Sequence, residues 1–138
     1  MSAANKAIPV PTEWDRPYWQ GAQDHKLVLQ RCSGCGLYAA QPRVICPSCH
    51  GDVFEWQQVS GRGKLHSYAI VWQTTAAGFA DEVPYVVCLA TIEEDDTCFV
   101  TANLLVDEGQ YDSLNVDLPL VIDFEQRPEA VVPQWRLA

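Results

Sequence analysis

Two Cys-x-x-Cys pairs, Cys32/Cys35 and Cys46/Cys49, stand ten residues apart, and no other feature constrains the chain as strongly. Zinc takes four soft ligands in a tetrahedron, and two short cysteine hairpins supply two thiolates each. Gly34 and Gly36 let the first hairpin turn tightly, because glycine reaches positive φ without steric cost. Pro47 stiffens the second. Clustering argues against four free or disulfide-bonded cysteines. The spacing therefore predicts a four-cysteine metal site in a small β-ribbon, with zinc or iron as the metal. His50 follows the second pair where Gly36 follows the first. Histidine tolerates positive φ better than most residues, so the second turn survives. His50 is also a possible ligand, but four thiolates already close the coordination shell.

The 138 residues suit one large domain or two small ones, and 48% hydrophobic content is that of a globular protein. No apolar run approaches a membrane span. The first residues carry a single lysine and no long apolar core, unlike a secretory signal. With thiols arranged for metal, the expected compartment is the cytoplasm. Cys88 and Cys98 lie in apolar strand-like runs and read as small core residues. A hairpin turn at Glu94-Asp95 would set Cys98 opposite Thr91 and point Cys88 to the other face.

Residues 1–13 read as an extended arm. Residues 14–52 hold a short aromatic helix over roughly 15–23 and the metal ribbon. Asp15 suits its N-cap and Pro17 its first turn. Trp14, Tyr18 and Trp19 are too many aromatics for a solvated helix. Either they plug the base of the metal module or they dock on a partner. From residue 53 to the end, short β runs alternate with turn signals. Residues 64–72 are apolar on both faces, as expected of a strand inside a closed barrel. A second strand spans 84–92, residues 93–96 form a charged tip, and 97–106 return. Residues 107–115 suit one helical turn. Residues 118–125 alternate as a half-buried strand, and 131–135 form a last short one. The expected fold is mainly β: N-terminal helix, zinc ribbon, then a small Greek-key barrel of the OB type over 53–138.

Net charge is −9 and lies in one half. Residues 1–60 carry five basic and five acidic side chains; residues 61–138 carry four and thirteen. OB-folds and zinc ribbons often bind nucleic acid, but a surface tracking phosphates is positive, and this one is the reverse. Nothing resembles a nucleophile elbow or a phosphate-binding glycine loop. Of the three histidines, His66 reads as a satisfied barrel residue. An iron-loaded electron carrier is the other alternative, which metal analysis would separate from zinc.

The order of motifs is similar to that of the DUF35 family. Pro17-Tyr18-Trp19 is followed by Leu27 to Gly36 (Leu-x-Leu-Gln-Arg-Cys-x-x-Cys-Gly) and by Pro42 to Cys49 (Pro-Arg-x-x-Cys-Pro-x-Cys). Then come Glu55-Trp56, Ser60-Gly61-Arg62-Gly63, Gly78-Phe79 and Val83-Pro84-Tyr85-Val86-Val87. The family usually has glycine where this chain has His50. The resemblance implies a rubredoxin-like zinc ribbon plus OB-fold in a non-catalytic subunit. Such a subunit accompanies a thiolase-like or other acyl-CoA enzyme and helps hold the acyl-CoA thioester. On that reading Cys32, Cys35, Cys46 and Cys49 hold a structural zinc. The phosphates of CoA would need cations, for which Arg62 and Lys64 are candidates. Trp72, Phe79 and Tyr85 are candidates for the less charged pantetheine or acyl chain, and Trp14, Tyr18 and Trp19 for the partner contact. The acidic remainder of the barrel predicts a CoA site that a partner completes.

Overall fold

The computed structural model describes residues 5–138. It runs α1 (Arg16–Gln23), β1 (Val28–Cys32), β2 (Tyr38–Ala39), β3 (Phe54–Gln58), β4 (Arg62–Val71), β5 (Tyr85–Ile92), β6 (Asp95–Leu105), a 3-10 helix (Glu108–Ser113), β7 (Pro119–Arg127) and β8 (Ala130–Leu137). Two sheets share these strands. A three-stranded ribbon has the order β2-β1-β3, and a five-stranded closed barrel has the order β4-β5-β6-β8-β7. The barrel is antiparallel except for β6 and β8, which pair in parallel through Leu104↔Trp135 and Leu105↔Arg136. This is the expected mainly-β architecture with one short helix. One strand changes place: Phe54–Gln58 pairs with β1 along its whole length and completes the ribbon sheet, while the barrel strands start at Arg62.

The core fills the barrel. Leu65, Val86, Cys88, Ala90, Ile92, Val100, Leu104, Leu120 and Trp135 are buried together, and Tyr111 and Leu114 close one end from the 3-10 helix and the residue after it. An Asp107–Gln110 capping box starts that helix and satisfies two of its free N–H groups. At Gly63 any Cβ would run into the Thr91 carbonyl of β5, so only glycine lets β4 lie this close.

Two expectations about strand faces need correction. Cys88 and Cys98 face the same way, into the core. A bulge between Thr91 and Ile92 pairs Thr91 with Phe99 and Ile92 with Asp95, which moves Cys98 out of register with Thr91. Cys88 pairs with Ala102, four residues from Cys98, or roughly 13 Å along the strand, too far for a disulfide. Strand β4 is not covered on both faces. Its Leu65 is buried, but residues 66–69 are exposed. His66 stands on this barrel strand, as expected, and lies exposed against the Phe99 ring, centroids 4.8 Å apart.

The arm over residues 5–13 is anchored. Lys6 is buried, its ammonium 2.9 Å from Glu82 and 2.6 Å from Glu125. Arg127 donates to the Ala7 carbonyl at 2.7 Å. Lys6 and Arg127 also flank the Phe79 ring, at 4.7 and 5.7 Å from its centroid. A lysine so buried is tolerated only with paired carboxylates. Nothing in the local sequence points to that contact, because its partners lie 76 and 119 residues away.

Candidate metal centre and partner face

Each cysteine pair builds the same backbone knuckle. In the first, the Gly36 amide donates to the Cys32 carbonyl and the Cys32 amide to the Leu37 carbonyl, both at 2.8 Å. In the second, the His50 amide donates to the Cys46 carbonyl at 2.9 Å and the Cys46 amide to the Gly51 carbonyl at 2.8 Å. Closing each loop requires a left-handed residue after the second cysteine. Gly36 has φ 81° and His50 has φ 63°. A left-handed L-residue costs about 1–2 kcal/mol, so His50→Gly is expected to stabilise the ribbon by up to about 1 kcal/mol, the added chain entropy of glycine offsetting part of the gain. A thermal melt of the zinc-loaded variant checks this; a lower midpoint would mean that the His50 ring makes a compensating contact.

The knuckles bring the four sulfurs of Cys32, Cys35, Cys46 and Cys49 within 4.8 Å of one another. Cys32 and Cys49 Sγ are 3.5 Å apart, and Cys35 and Cys46 Sγ 3.6 Å. Sulfurs at the corners of a zinc tetrahedron, with bonds of about 2.3 Å, stand about 3.8 Å apart. The donor set therefore fits zinc. The wall is tight as well: a Cβ at Gly34 or Gly51 would lie 3.3 Å from Cys49 Sγ. Knuckle amides favour thiolate. The Cys49 and Ser48 amides bring Cys46 down to about 6, and the Cys35 and Gly34 amides lower Cys32. The Gly51 amide does the same for Cys49, but the crowding thiols, Cys32 first, override it and push Cys49 up to about 11. Four crowded thiols that cannot all ionise alone are what a divalent cation resolves. With four protein thiolates as ligands, no coordination position is left for a substrate, and the site is structural.

The ten-residue link between the pairs is clamped by Gln30, which the sequence did not single out. Its buried amide donates to the Arg43 carbonyl at 3.1 Å and accepts from the Arg43 N–H at 2.8 Å. A second contact ties ribbon to barrel: the Tyr38 amide donates to Asp95 Oδ2 at 3.0 Å. Helix α1 completes the join, packing on β1 and β8, with His25 stacked on Phe124 at 5.0 Å. Asp15 sits at the N-cap position, but its carboxylate turns back to accept from the Thr12 amide and hydroxyl, at 2.7 and 3.0 Å.

The aromatic helix divides its residues. Tyr18 packs against the core, burial pushing its hydroxyl up to about 12. Trp19 meets it edge-on at 4.9 Å and is half-buried. Trp14 is 59% exposed. Tyr18 and Trp19 line a cleft of about 520 Å³ between helix, ribbon and β6, which Tyr38, Arg43 and Phe99 also border.

The CoA candidates fall into two groups. Arg62 and Lys64 line a cleft of about 620 Å³ together with Arg136, over an apolar floor that includes Ile92 and Leu120. Arg62 is paired with Glu93 at 2.9 Å, and Glu93 and Asp96 border the same cleft. Lys64 has no ion pair among the described residues. Tyr85 and Phe79 lie together at 5.4 Å, Tyr85 opposite Val71 at the far end of β4, with Trp72 next along the chain against Tyr111 at 6.2 Å. By strand rise the two groups are roughly 25 Å apart.

Comparison with known proteins agrees with this geometry. The family model for the ChsH2 rubredoxin-like zinc ribbon domain matches residues 19–55, and that for the ChsH2 C-terminal OB-fold domain matches residues 56–125. The chain belongs to the ChsH2 (DUF35) family. It is 34% identical over 128 residues to a probable enoyl-CoA hydratase alpha subunit of Thermomonospora curvata, covering 90% of this chain and 38% of that protein. It is 34% identical over 84 residues to a DUF35 domain-containing scaffold protein of Methanothermobacter thermautotrophicus, covering 60% of this chain and 62% of the relative. The chain thus spans less than two thirds of the curated relatives it matches. Among solved structures, the Ltp2-ChsH2(DUF35) aldolase superposes with a TM-score of 0.78 at 26% identity, covering 94% of this chain and 98% of that one. A DUF35 protein of Sulfolobus solfataricus shares the fold at 14% identity, with a TM-score of 0.64 and 91% and 86% of the two chains covered. The four-cysteine metal is accordingly the structural zinc of a ribbon. Among the described residues no helix is long and apolar enough to cross a membrane.

Proposed function

We propose that this chain is a non-catalytic accessory subunit that scaffolds an acyl-CoA enzyme, with a thiolase-like enzyme as its partner. The observation that carries this reading is the pairing of a closed four-thiolate centre with an exposed aromatic surface. The zinc organises structure, and exposed Trp14, with half-buried Trp19 on the helix that follows it, offers a protein-binding surface. Relatives described as scaffold proteins, a relative described as an enoyl-CoA hydratase subunit, and an aldolase that contains ChsH2 all support a subunit role. The residues offer little chemistry of their own. His25 stacks on Phe124, His66 lies on Phe99, and His50 closes a knuckle. In this reading Arg62 and Lys64 help hold the CoA phosphates. The ~25 Å to Trp72, Phe79 and Tyr85 then assigns the acyl end to the partner, or to a ligand laid along β4. Four zinc-binding cysteines and two buried thiols, Cys88 and Cys98, suit a reducing cytoplasm.

The test is purification of the tagged chain from its native host, followed by calorimetry. An acyl-CoA enzyme subunit is expected at fixed stoichiometry, and Trp14→Ala is expected to weaken that complex at least tenfold, about 1.4 kcal/mol. The isolated chain should bind acetyl-CoA more weakly than about 0.1 mM. Recovery of this chain alone, or tight CoA binding without a partner, would count against the proposal.

A further inference from the structure

The barrel is closed, yet one strand keeps an open edge. Strand β4 pairs with β5 from Gly63 to Val71, but with β7 only at Arg62, Gly63 and Lys64. Leu65 exchanges backbone hydrogen bonds with Leu118 and Asp117 at 2.9 and 2.7 Å, and there the contact ends. Beyond it, no backbone group among the described residues bonds to the second edge of residues 67–71. The bulge between Leu65 and Ser67 bends the strand away from β7 and leaves this edge facing outward.

Natural sheet edges are guarded by lysine, proline or inward charge, because an open row of N–H and C=O groups recruits another strand. Here the bulge lies before the open stretch, between Leu65 and Ser67, and residues 67–71 themselves carry no charged or proline guard. Residues 65–72 read Leu-His-Ser-Tyr-Ala-Ile-Val-Trp, with no formal charge and no proline. The side chains around it are apolar and exposed: Tyr68 at 38%, Trp72 at 58% and Val116 at 62%. Acids border it. Asp117 follows the contact, its backbone N–H donating to the Leu65 carbonyl, and the 3-10 helix touches Trp72 through Tyr111, whose hydroxyl feels the charges of Glu108 and Asp107; Asp112 lies on the same helix. None of these acids forms an ion pair among the described residues. The edge thus joins three complementary features: backbone groups for a strand, apolar side chains for alternate residues, and unpaired negative charge at the border.

We infer that the outer edge of β4, residues 67–71, is a strand-addition site that takes an extended, lysine- or arginine-flanked segment of a protein partner. The geometry is β-augmentation, in which main-chain hydrogen bonds give affinity and alternate side chains give register. The flanking acids select a cationic segment and disfavour an acidic one, such as the loops of a second copy of this chain. This surface is separate from the Trp14 face of α1. It requires a protein partner but not one that handles acyl-CoA, so a failed co-purification with such an enzyme leaves it standing.

The test uses the zinc-loaded full chain and two nine-residue peptides, each alternating valine and threonine between pairs of lysine or pairs of glutamate. The probe is amide hydrogen exchange of residues 67–71, followed by NMR. In the free chain, amides that point to the open edge should exchange freely. The lysine peptide should protect them and bind at least tenfold tighter than the glutamate peptide, the difference shrinking at high salt. Asp112→Lys, a surface change away from the strand, should narrow that preference. Ala69→Lys, which adds the missing gatekeeper, should abolish protection while zinc content and thermal midpoint stay unchanged. Several outcomes would overturn the proposal: protection already complete in the free chain, equal binding of the two peptides, or no protection by either at millimolar concentration. A concentration-dependent dimer that Ala69→Lys dissolves would assign the edge to a second copy and equally overturn it.

Discussion

Cys46→Ser is expected to abolish zinc binding and unfold the ribbon, with zinc falling from about one ion per chain to near zero. A ribbon of three short strands cannot bury enough apolar surface to offset its own ordering entropy. Its described core contribution is small: Leu29, Cys32, Ala39 and Cys46 are buried, and two of those are the ligands themselves. Zinc binding by such modules is worth about 10–16 kcal/mol in apparent free energy, comparable to a typical domain's whole stability. Serine is a poor ligand for zinc, and Cys46 is the ligand whose thiolate the knuckle favours most visibly. Elemental analysis and near-UV circular dichroism check the outcome, with Cys88→Ser and Cys98→Ser as controls that should keep their zinc. The barrel strands should keep their ladder, which includes none of β1–β3, but lose stability because Leu27 and Leu29 pack into the same core. Partner capture should be lost, since Tyr38–Asp95 and the α1 contacts no longer hold helix and ribbon on the barrel. A Cys46→Ser protein that kept zinc and its melting temperature would remove the role of structural staple from this site.

Trp135→Ala is expected to destabilise the barrel by about 4–5 kcal/mol. Trp135 has no exposed surface, and its indole N–H donates to the Val100 carbonyl at 3.2 Å. It also stands at the weakest seam. Strands β6 and β8 meet through only two register pairs, and Trp135 forms one of them with Leu104. Truncation removes a large buried surface, leaves a cavity and strips a buried carbonyl of its donor. Trp135→Phe keeps most of the volume and loses the hydrogen bond, so it should cost less, about 1–2 kcal/mol. Urea denaturation separates them: at about 1–3 kcal/mol per molar, Trp135→Ala should shift the midpoint by roughly 1.3–5 M. Equal costs for the two variants would mean that the hydrogen bond, not the volume, holds the seam.

Much of this was legible in the chain itself. The metal ligands were readable because short hairpins with glycine place sulfurs locally, without help from distant residues. The alternation over 118–125 and the charged tip at 93–96 were readable for the same reason: period and turn chemistry act within a few residues. The features that differ from the sequence expectation have a common source. Residues 64–72 looked apolar on both faces, and such a run cannot be told from a strand with an open side, because coverage depends on where β7 leaves it. The bulge that turns Cys88 and Cys98 to the same face changes register without a clear sequence mark.

By itself, then, the sequence determined the four-cysteine centre, the helix–ribbon–barrel order and the acidic barrel that disfavours phosphate tracking. Those properties follow from local spacing and summed charge. Only the tertiary structure decided which aromatic residues meet solvent, that Phe54–Gln58 joins the ribbon, that Lys6 is buried between Glu82 and Glu125, and that β4 keeps a free edge. Each of those depends on contacts between residues far apart in the chain, and such contacts leave no periodic signal in either partner.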